Sequence, residues 1–249
     1  MVTGDETILA DNYQMMKGWL KYHEKKSNNL ISTMTTFGDW LQPYPSNLKD
    51  GENGNRGNTD FSLIGTAYFA RSVELTIKTA EVLNKTEDLE QLKRLHADIK
   101  AAYMAKFYDE NLNVLAGQPT QTGYLLGLAY NLFPVEKRDI GIAKLIELIR
   151  IADTHLRTGF LGTPLLTQVL QDAGRSDIIY ELLFKESYPS WFYSINNGAT
   201  TTWERWNSYS IDEGFNPQGM NSLNHYAYGT VSRWFYEGIL GITPAKAWL

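Results

Sequence analysis

The chain has 249 residues, 43% of them hydrophobic, and a formal net charge of -5. This length and apolar content suffice for one sizeable domain, and an acidic balance without a basic run argues against nucleic acid or an anionic membrane as a partner. There are no cysteines, and the four histidines (positions 23, 96, 155 and 225) lack the close helical spacing of a zinc site. No disulfide, metal or other cofactor is therefore expected.

In chain order, most of the sequence shows the periodicity of amphipathic helices. Apolar residues recur at intervals of three and four, which predicts helices over 5–24, 61–84, 89–107, 121–132, 137–153, 163–173 and 176–185, and a last helix carrying Ala227, Val231, Trp234 and Gly238. The strand signal is weak throughout. Successive helices with short links favour an all-α toroid or solenoid, in one domain over residues 1–249.

The first residues, Met-Val-Thr-Gly-Asp-Glu, lack the basic and apolar regions of a signal peptide, and no apolar run approaches the roughly 18 residues of a membrane helix. This pattern predicts a soluble, cytoplasmic chain. A secreted or periplasmic full-length parent is the open alternative.

A long loop interrupts the helical pattern between Ser27 and Asp60, where Asn, Gly, Pro and Ser dominate. Loops of this length within a domain are often functional. The loop contains an aromatic island around one acid, Phe37-Gly-Asp-Trp-Leu41. Asp39 and Trp40 form a second candidate pair of site residues. Asp39 could bind a ligand hydroxyl, the role we favour slightly, or fix the loop by accepting backbone N–H bonds.

The segment from Gly198 to Trp206 reads Gly-Ala-Thr-Thr-Thr-Trp-Glu-Arg-Trp and places Glu204 between two indoles. Aromatic faces with a polar group at their edge are typical of sugar sites. The alternative is that Trp203 and Trp206 are core anchors and that Glu204 pairs with Arg205 or a nearby Lys. In an extended segment alternate residues share a side, so Trp206 is preferred to Trp203 as a pocket wall.

The positions of His225 and His96 relative to the predicted helices suggest their roles. His225 is expected near the N-terminus of the last helix, where the helix dipole disfavours the imidazolium. A neutral His225 could hydrogen-bond a ligand hydroxyl or merely cap the helix. His96 lies on an apolar helix face and is expected to be a core histidine with a partner.

Five blocks of the sequence, taken in order, resemble the α-L-rhamnosidases of glycoside hydrolase family 78. They are Gly38-Asp-Trp-Leu41, Thr158-Gly-Phe-Leu-Gly-Thr-Pro164, Pro189-Ser-Trp191, Gly198-Ala-Thr-Thr-Thr-Trp-Glu-Arg-Trp206 and Met220-Asn-Ser-Leu-Asn-His-Tyr-Ala-Tyr-Gly229. The resemblance implies an (α/α)6 barrel and inverting hydrolysis of terminal α-L-rhamnosides. It further implies that Glu204 is the general base, that Trp40 lines the rhamnose pocket and that His225 is a pocket histidine.

The sequence departs from this family at its start. The family's general acid lies in an acidic, arginine-containing block upstream of Gly-Asp-Trp, and the 37 residues before Gly38 contain no such block. Roughly eight to nine helices are predicted, against the twelve that an (α/α)6 barrel implies. The barrel is therefore expected to be incomplete. The chain could be the C-terminal part of a longer enzyme's catalytic barrel, a non-catalytic sugar-binding or interaction remnant, or a chain whose missing part a partner supplies.

An incomplete toroid leaves apolar helix faces without neighbours. We expect the chain to self-associate, or to need a partner chain, through the faces of its N-terminal helices near Ile8, Met15, Met16 and Trp19.

Overall fold

The computed structural model describes residues 4–43, 54–117 and 119–243. These ranges contain nine α-helices: α1 (Thr7–Lys25), α2 (Phe61–Val82), α3 (Thr86–Phe107), α4 (Gln121–Ala129), α5 (Val135–Ile151), α6 (Thr163–Asp172), α7 (Ser176–Leu183), α8 (Trp191–Asn196) and α9 (Val231–Trp234). A 3-10 turn (Ala227–Thr230) precedes α9 and a π-helical turn (Phe235–Ile239) follows it. The predicted last helix is thus present, but its pitch changes twice.

Strand structure in the described part of the chain is limited to three antiparallel hairpins of two residues per strand, which agrees with the weak strand signal. They are β1 (Ser27–Asn28) with β2 (Ile31–Ser32), β3 (Tyr108–Asp109) with β4 (Val114–Leu115), and β5 (Tyr209–Ser210) with β6 (Gly214–Phe215). Each hairpin stiffens a loop between helices and adds no layer of its own.

The helices form two layers. In the inner layer α2 packs on α4, α4 on α6, and α6 on α9, while α3, α5 and α7 each pack outside the inner helix that precedes them. Burial follows this division, because eight of the nine residues of α4 are buried whereas α3 buries only Leu92, Ile99, Tyr103 and Phe107 of its 22. The arrangement is the helical-barrel fold that the sequence predicts, in which each pair of consecutive helices (a helical hairpin) packs against the next pair.

Side chains fix where the inner helices begin. Asp60 accepts hydrogen bonds from the Ser62 and Leu63 N–H groups at the start of α2, and Thr120 accepts one from the Gly123 N–H at the start of α4. Consecutive helices of a hairpin are antiparallel, so the N-termini of α2, α4 and α6 lie at the same end of the layer. The loops that precede these helices therefore meet at that end.

Helix α1 packs on α2 through one face and leaves another without neighbours in the described structure. Tyr13, Leu20 and His23 are buried, while Ile8, Met15 and Trp19 are 67%, 66% and 46% exposed. Met16, which the sequence grouped with the exposed residues, is half-buried.

His96 on α3 is half-buried, and its Nε2 has no hydrogen-bond partner among the described residues, so the expected partner is not seen. Within the same ranges no helix is long and apolar enough to cross a membrane.

Candidate functional site

Asp39 connects the loop before α2, which carries it, with the start of α4 and the loop before α6. Its side chain is fully buried and accepts four hydrogen bonds: from the Thr122 hydroxyl (2.5 Å) at the start of α4, and from the N–H groups of Gly159 (2.7 Å), Leu161 (2.8 Å) and Gly162 (3.1 Å) in the loop before α6. Burial raises the pKa of this carboxyl, and the four hydrogen bonds oppose the rise only in part.

The position of Asp39 bears on its two predicted roles. A fully buried carboxylate whose oxygens each accept two hydrogen bonds from the protein has no oxygen left for a ligand hydroxyl. These contacts favour the loop-fixing role of Asp39 over the ligand-binding role that the sequence slightly favoured. The loop that it fixes lies some 120 residues further along the chain and not within its own segment.

Trp40 follows Asp39 and is half-buried, as a ligand-facing side chain would be. Its carbonyl accepts the Phe160 N–H at 2.9 Å, which joins the loop before α2 to the loop before α6 a second time. Phe37, itself largely exposed, lies edge-on to the Trp40 indole, with the ring centroids 5.9 Å apart.

His225 contacts the ring of Phe160. The imidazole stacks on Phe160 with centroids 4.8 Å apart and on Tyr226 with centroids 5.2 Å apart. Its Nδ1 accepts the Ala227 N–H at 3.3 Å, so a neutral ring carries its proton on Nε2. Through Nδ1, His225 thus hydrogen-bonds the first turn of the helical segment, and among the described residues its Nε2 makes no hydrogen bond.

Glu204 is half-buried and is tied to Ser222 by two hydrogen bonds. Its backbone N–H donates to the Ser222 carbonyl (2.9 Å), and its Oε2 accepts the Ser222 N–H (3.2 Å). The guanidinium of Arg205 donates instead to Gln218 Oε1 and the Gly219 carbonyl. Among the described residues Glu204 forms no salt bridge, so the alternative of a Glu204–Arg205 pair is not seen.

One further hydrogen bond connects the segment of Glu204 with that of His225. The His225 N–H donates to the Thr202 carbonyl at 2.8 Å, two residues before Glu204. The candidate base and the candidate pocket histidine therefore lie on neighbouring backbone segments although 21 positions separate them in the sequence.

Trp206 is both a core residue and a cavity wall. It is buried, stacks on Tyr228 with centroids 4.0 Å apart, and meets Trp191 edge-on at 5.1 Å. Among the described residues its indole Nε1 has no hydrogen-bond partner. Trp203 is equally buried, so both indoles anchor the segment, and the distinction drawn between them from the sequence does not appear in their burial.

A cavity of about 450 Å³ lies beside these indoles. Its walls are Trp191, Ser194, Ile195, Ala199, Thr200, Thr201, Thr202, Trp203, Trp206 and Tyr228. Glu204, Trp40 and His225 are not among its walls. In the described part of the chain no group of three or more His, Cys, Asp or Glu residues could hold a metal ion.

Sequence reasoning did not single out Phe160 and Tyr228, which connect the predicted residues. The buried Tyr228 donates its hydroxyl to the Leu41 carbonyl (3.1 Å), stacks on Trp206 and meets Phe160 edge-on. Both residues lie in blocks that carry the family resemblance, which was the available signal. Nothing in the local sequence shows which aromatic of each block faces the site.

Comparison with known proteins shows what the chain is similar to. Residues 1–239 match the family model described as bacterial alpha-L-rhamnosidase 6 hairpin glycosidase domain. The chain is 64% identical over 244 residues to an α-L-rhamnosidase of Alteromonas sp. (strain LOR) and 54% identical over 245 residues to an α-L-rhamnosidase of Formosa agariphila. In both cases the match covers 98% of this chain and 26% of the relative.

A solved structure with the same fold is that of Streptomyces avermitilis α-L-rhamnosidase complexed with L-rhamnose. The TM-score is 0.87 at 40% sequence identity, over 98% of this chain and 22% of that one. The chain thus spans about a quarter of the length of the relatives that it matches.

Proposed function

The chain belongs to the bacterial α-L-rhamnosidase six-hairpin glycosidase domain family, and we propose that it carries the general base for inverting hydrolysis of terminal α-L-rhamnosides. In such a reaction one carboxylate activates water on one face of the sugar while an acid protonates the leaving oxygen on the other. The base assigned by this proposal is Glu204.

The observation that carries the proposal is the state of the Glu204 carboxylate. Oε2 is held by the Ser222 N–H, whereas Oε1 makes no hydrogen bond within the described structure, and no cation there neutralises the group. One oxygen is thus fixed in direction and the other can accept a proton from water. A half-buried, oriented and unpaired carboxylate is the group that general-base catalysis requires.

The neighbouring residues suit a sugar. The half-buried face of Trp40 stacks on the apolar side of the ring, and the Nε2–H of His225 donates to a ring hydroxyl. Trp206, buried against Tyr228, supports the segment that carries Glu204. In this proposal Asp39 supports the site and does not touch the sugar.

The test is turnover of p-nitrophenyl α-L-rhamnoside by the purified chain. Nitrophenolate leaves without much help from a general acid, so the substrate reports the base even where the acid is absent. We expect Glu204→Gln to lower kcat by about 10²- to 10⁴-fold, the usual contribution of a general base. Glu213→Gln, at an exposed glutamate of the same long loop, is the matched control and should leave kcat unchanged. Equal rates for the wild-type chain and Glu204→Gln would refute the assignment.

Binding without turnover is the second candidate function, because Trp40 and the Nε2–H of His225 could hold a sugar without any general acid. Calorimetric titration with L-rhamnose separates the two. Saturable binding by a wild-type chain that releases no nitrophenol supports the binding module.

We further propose that the exposed stripe on α1 (Ile8, Met15, Trp19 and Tyr22) joins two copies of the chain. Exposed apolar patches on neighbouring turns of one helix mark an interaction surface. Light scattering during dilution is the measurement: the wild-type chain should dissociate, and Trp19→Lys should shift the equilibrium towards monomer. Val135→Lys, at an exposed apolar residue on α5, is the control. A monomer at all concentrations would contradict the proposal, and binding of a different chain would identify another occupant.

A further inference from the structure

The loop from Gly159 to Gly162 is bound through its backbone to Asp39 and Trp40. Its four successive peptide N–H groups are all bound, three by the Asp39 carboxylate and that of Phe160 by the Trp40 carbonyl. A Cβ atom on Gly159 would lie 2.2 Å from the Trp40 carbonyl oxygen and 2.4 Å from that of Asp39. The backbone of this loop can approach Asp39 so closely only because glycine stands there.

Phe160 is the one residue of this stretch whose ring faces His225. Its ring lies 4.8 Å from the His225 imidazole at an interplanar angle of 26°, and it meets Tyr228 edge-on at 5.4 Å. The Tyr226 ring also stacks on the imidazole, with centroids 5.2 Å apart at an interplanar angle of 15°, so two aromatic rings contact His225. With Nδ1 engaged by the Ala227 N–H as well, these contacts restrict the orientation of the imidazole.

We propose that Phe160 is a positioning residue for His225, and that Asp39 acts on His225 through the loop that carries Phe160. The chain of contacts has three steps: the carboxylate binds the loop backbone, the backbone places the Phe160 ring, and the ring holds the imidazole plane. The inference rests on the proposed function only where it treats His225 as a ligand-binding group. The arrangement itself can be measured without any ligand.

The experiment is nitrogen-detected NMR of the histidine rings, with the His225 signals assigned by their loss in His225→Gln. In the wild-type chain neutral His225 should appear as the Nε2–H tautomer. Asp39→Asn and the milder Thr122→Val keep both aromatic rings but weaken the hold on the loop. We expect both variants to move the His225 signals towards a mixture of tautomers, Asp39→Asn further than Thr122→Val. Phe160→Leu, which keeps an apolar side chain but removes the ring, should do the same.

The control is Ile99→Ala, which removes buried volume from α3 outside these loops. It should lower the melting temperature without changing the His225 tautomer. If Asp39→Asn and Thr122→Val lower stability but leave the tautomer as in the wild-type chain, Asp39 is structural only and the proposal fails.

Titration with L-rhamnose then tests the consequence for binding. Phe160→Leu should weaken binding by roughly three- to tenfold, the size of one hydrogen bond. A wild-type chain that shows the Nε2–H tautomer but no affinity for L-rhamnose would refute the proposed function and leave the positioning inference standing.

Discussion

Replacement of Asp39 by Asn tests how much the buried carboxylate contributes to folding. In the native chain Oδ1 accepts hydrogen bonds from the N–H groups of Leu161 and Gly162. Oδ2 accepts hydrogen bonds from the Gly159 N–H and from the Thr122 hydroxyl. Asn keeps one carbonyl oxygen and turns the other position into an NH₂ donor. The Thr122 hydroxyl can rotate to accept from it, but the Gly159 N–H then faces a donor and loses its partner.

The magnitude follows from these four bonds. A buried N–H without a partner costs about 1–3 kcal/mol, and two remaining bonds that change from charge-assisted to neutral lose about 1 kcal/mol each. Removing the buried charge returns part of this, since burial disfavours the ionised carboxyl. We therefore expect Asp39→Asn to lower the free energy of unfolding by about 2–4 kcal/mol.

Urea unfolding followed by tryptophan fluorescence measures this change. The matched control is Asp60→Asn, because Asp60 also accepts backbone N–H groups, but at the exposed start of α2. Asn is as good a helix cap as Asp, so the control should cost less than about 0.5 kcal/mol. Equal losses for the two variants would show that the four bonds to Asp39 contribute nothing beyond an exposed cap.

Two further predictions concern single aromatic or imidazole rings. Trp40→Ala should weaken L-rhamnose binding by about 1–3 kcal/mol, the scale of a buried apolar contact. The melting temperature should change little, because Trp40 lies half-buried on a loop. Phe37→Ala is the control, and equal losses of stability and affinity for Trp40→Ala would mark Trp40 as a core residue. Burial lowers the pKa of His23, so the unfolded state binds a proton more readily and stability should fall as pH drops below about 6.5. His23→Phe keeps the stacking on Phe69 and should reduce the loss of melting temperature at low pH. The loss that remains in this variant should come from His96, because burial lowers the pKa of His96 as well.

The sequence was sufficient for the helices because their signal is local. Periodicity located α1, α2 and α3 to within a few residues, and the caps at Asp60 and Thr120 lie where the apolar pattern begins. Helix α8 was not predicted, since its six residues, Trp191–Asn196, are too few to show a period.

The role of Asp39 could not be read from its neighbours because its hydrogen-bond donors come from the starts of two other hairpins. The local pattern showed an acid beside an indole and allowed two roles. Only the packing of α2, α4 and α6 brings Gly159 and Thr122 to that acid, and these contacts favour the loop-fixing role. The same holds for Phe160, whose neighbour His225 is 65 positions away.

The distribution of the site over separate hairpins has a consequence for the order of folding. Helix pairs such as α2 and α3 close through contacts between near neighbours in the sequence, whereas Asp39 meets Gly159 across 120 positions and Leu41 meets Tyr228 across 187. Contacts between distant positions carry a larger loop-closure entropy and form slowly. The helices should therefore appear early in refolding, and the stacking of Phe160 on His225 should appear in the slowest phase, when the last hairpin docks.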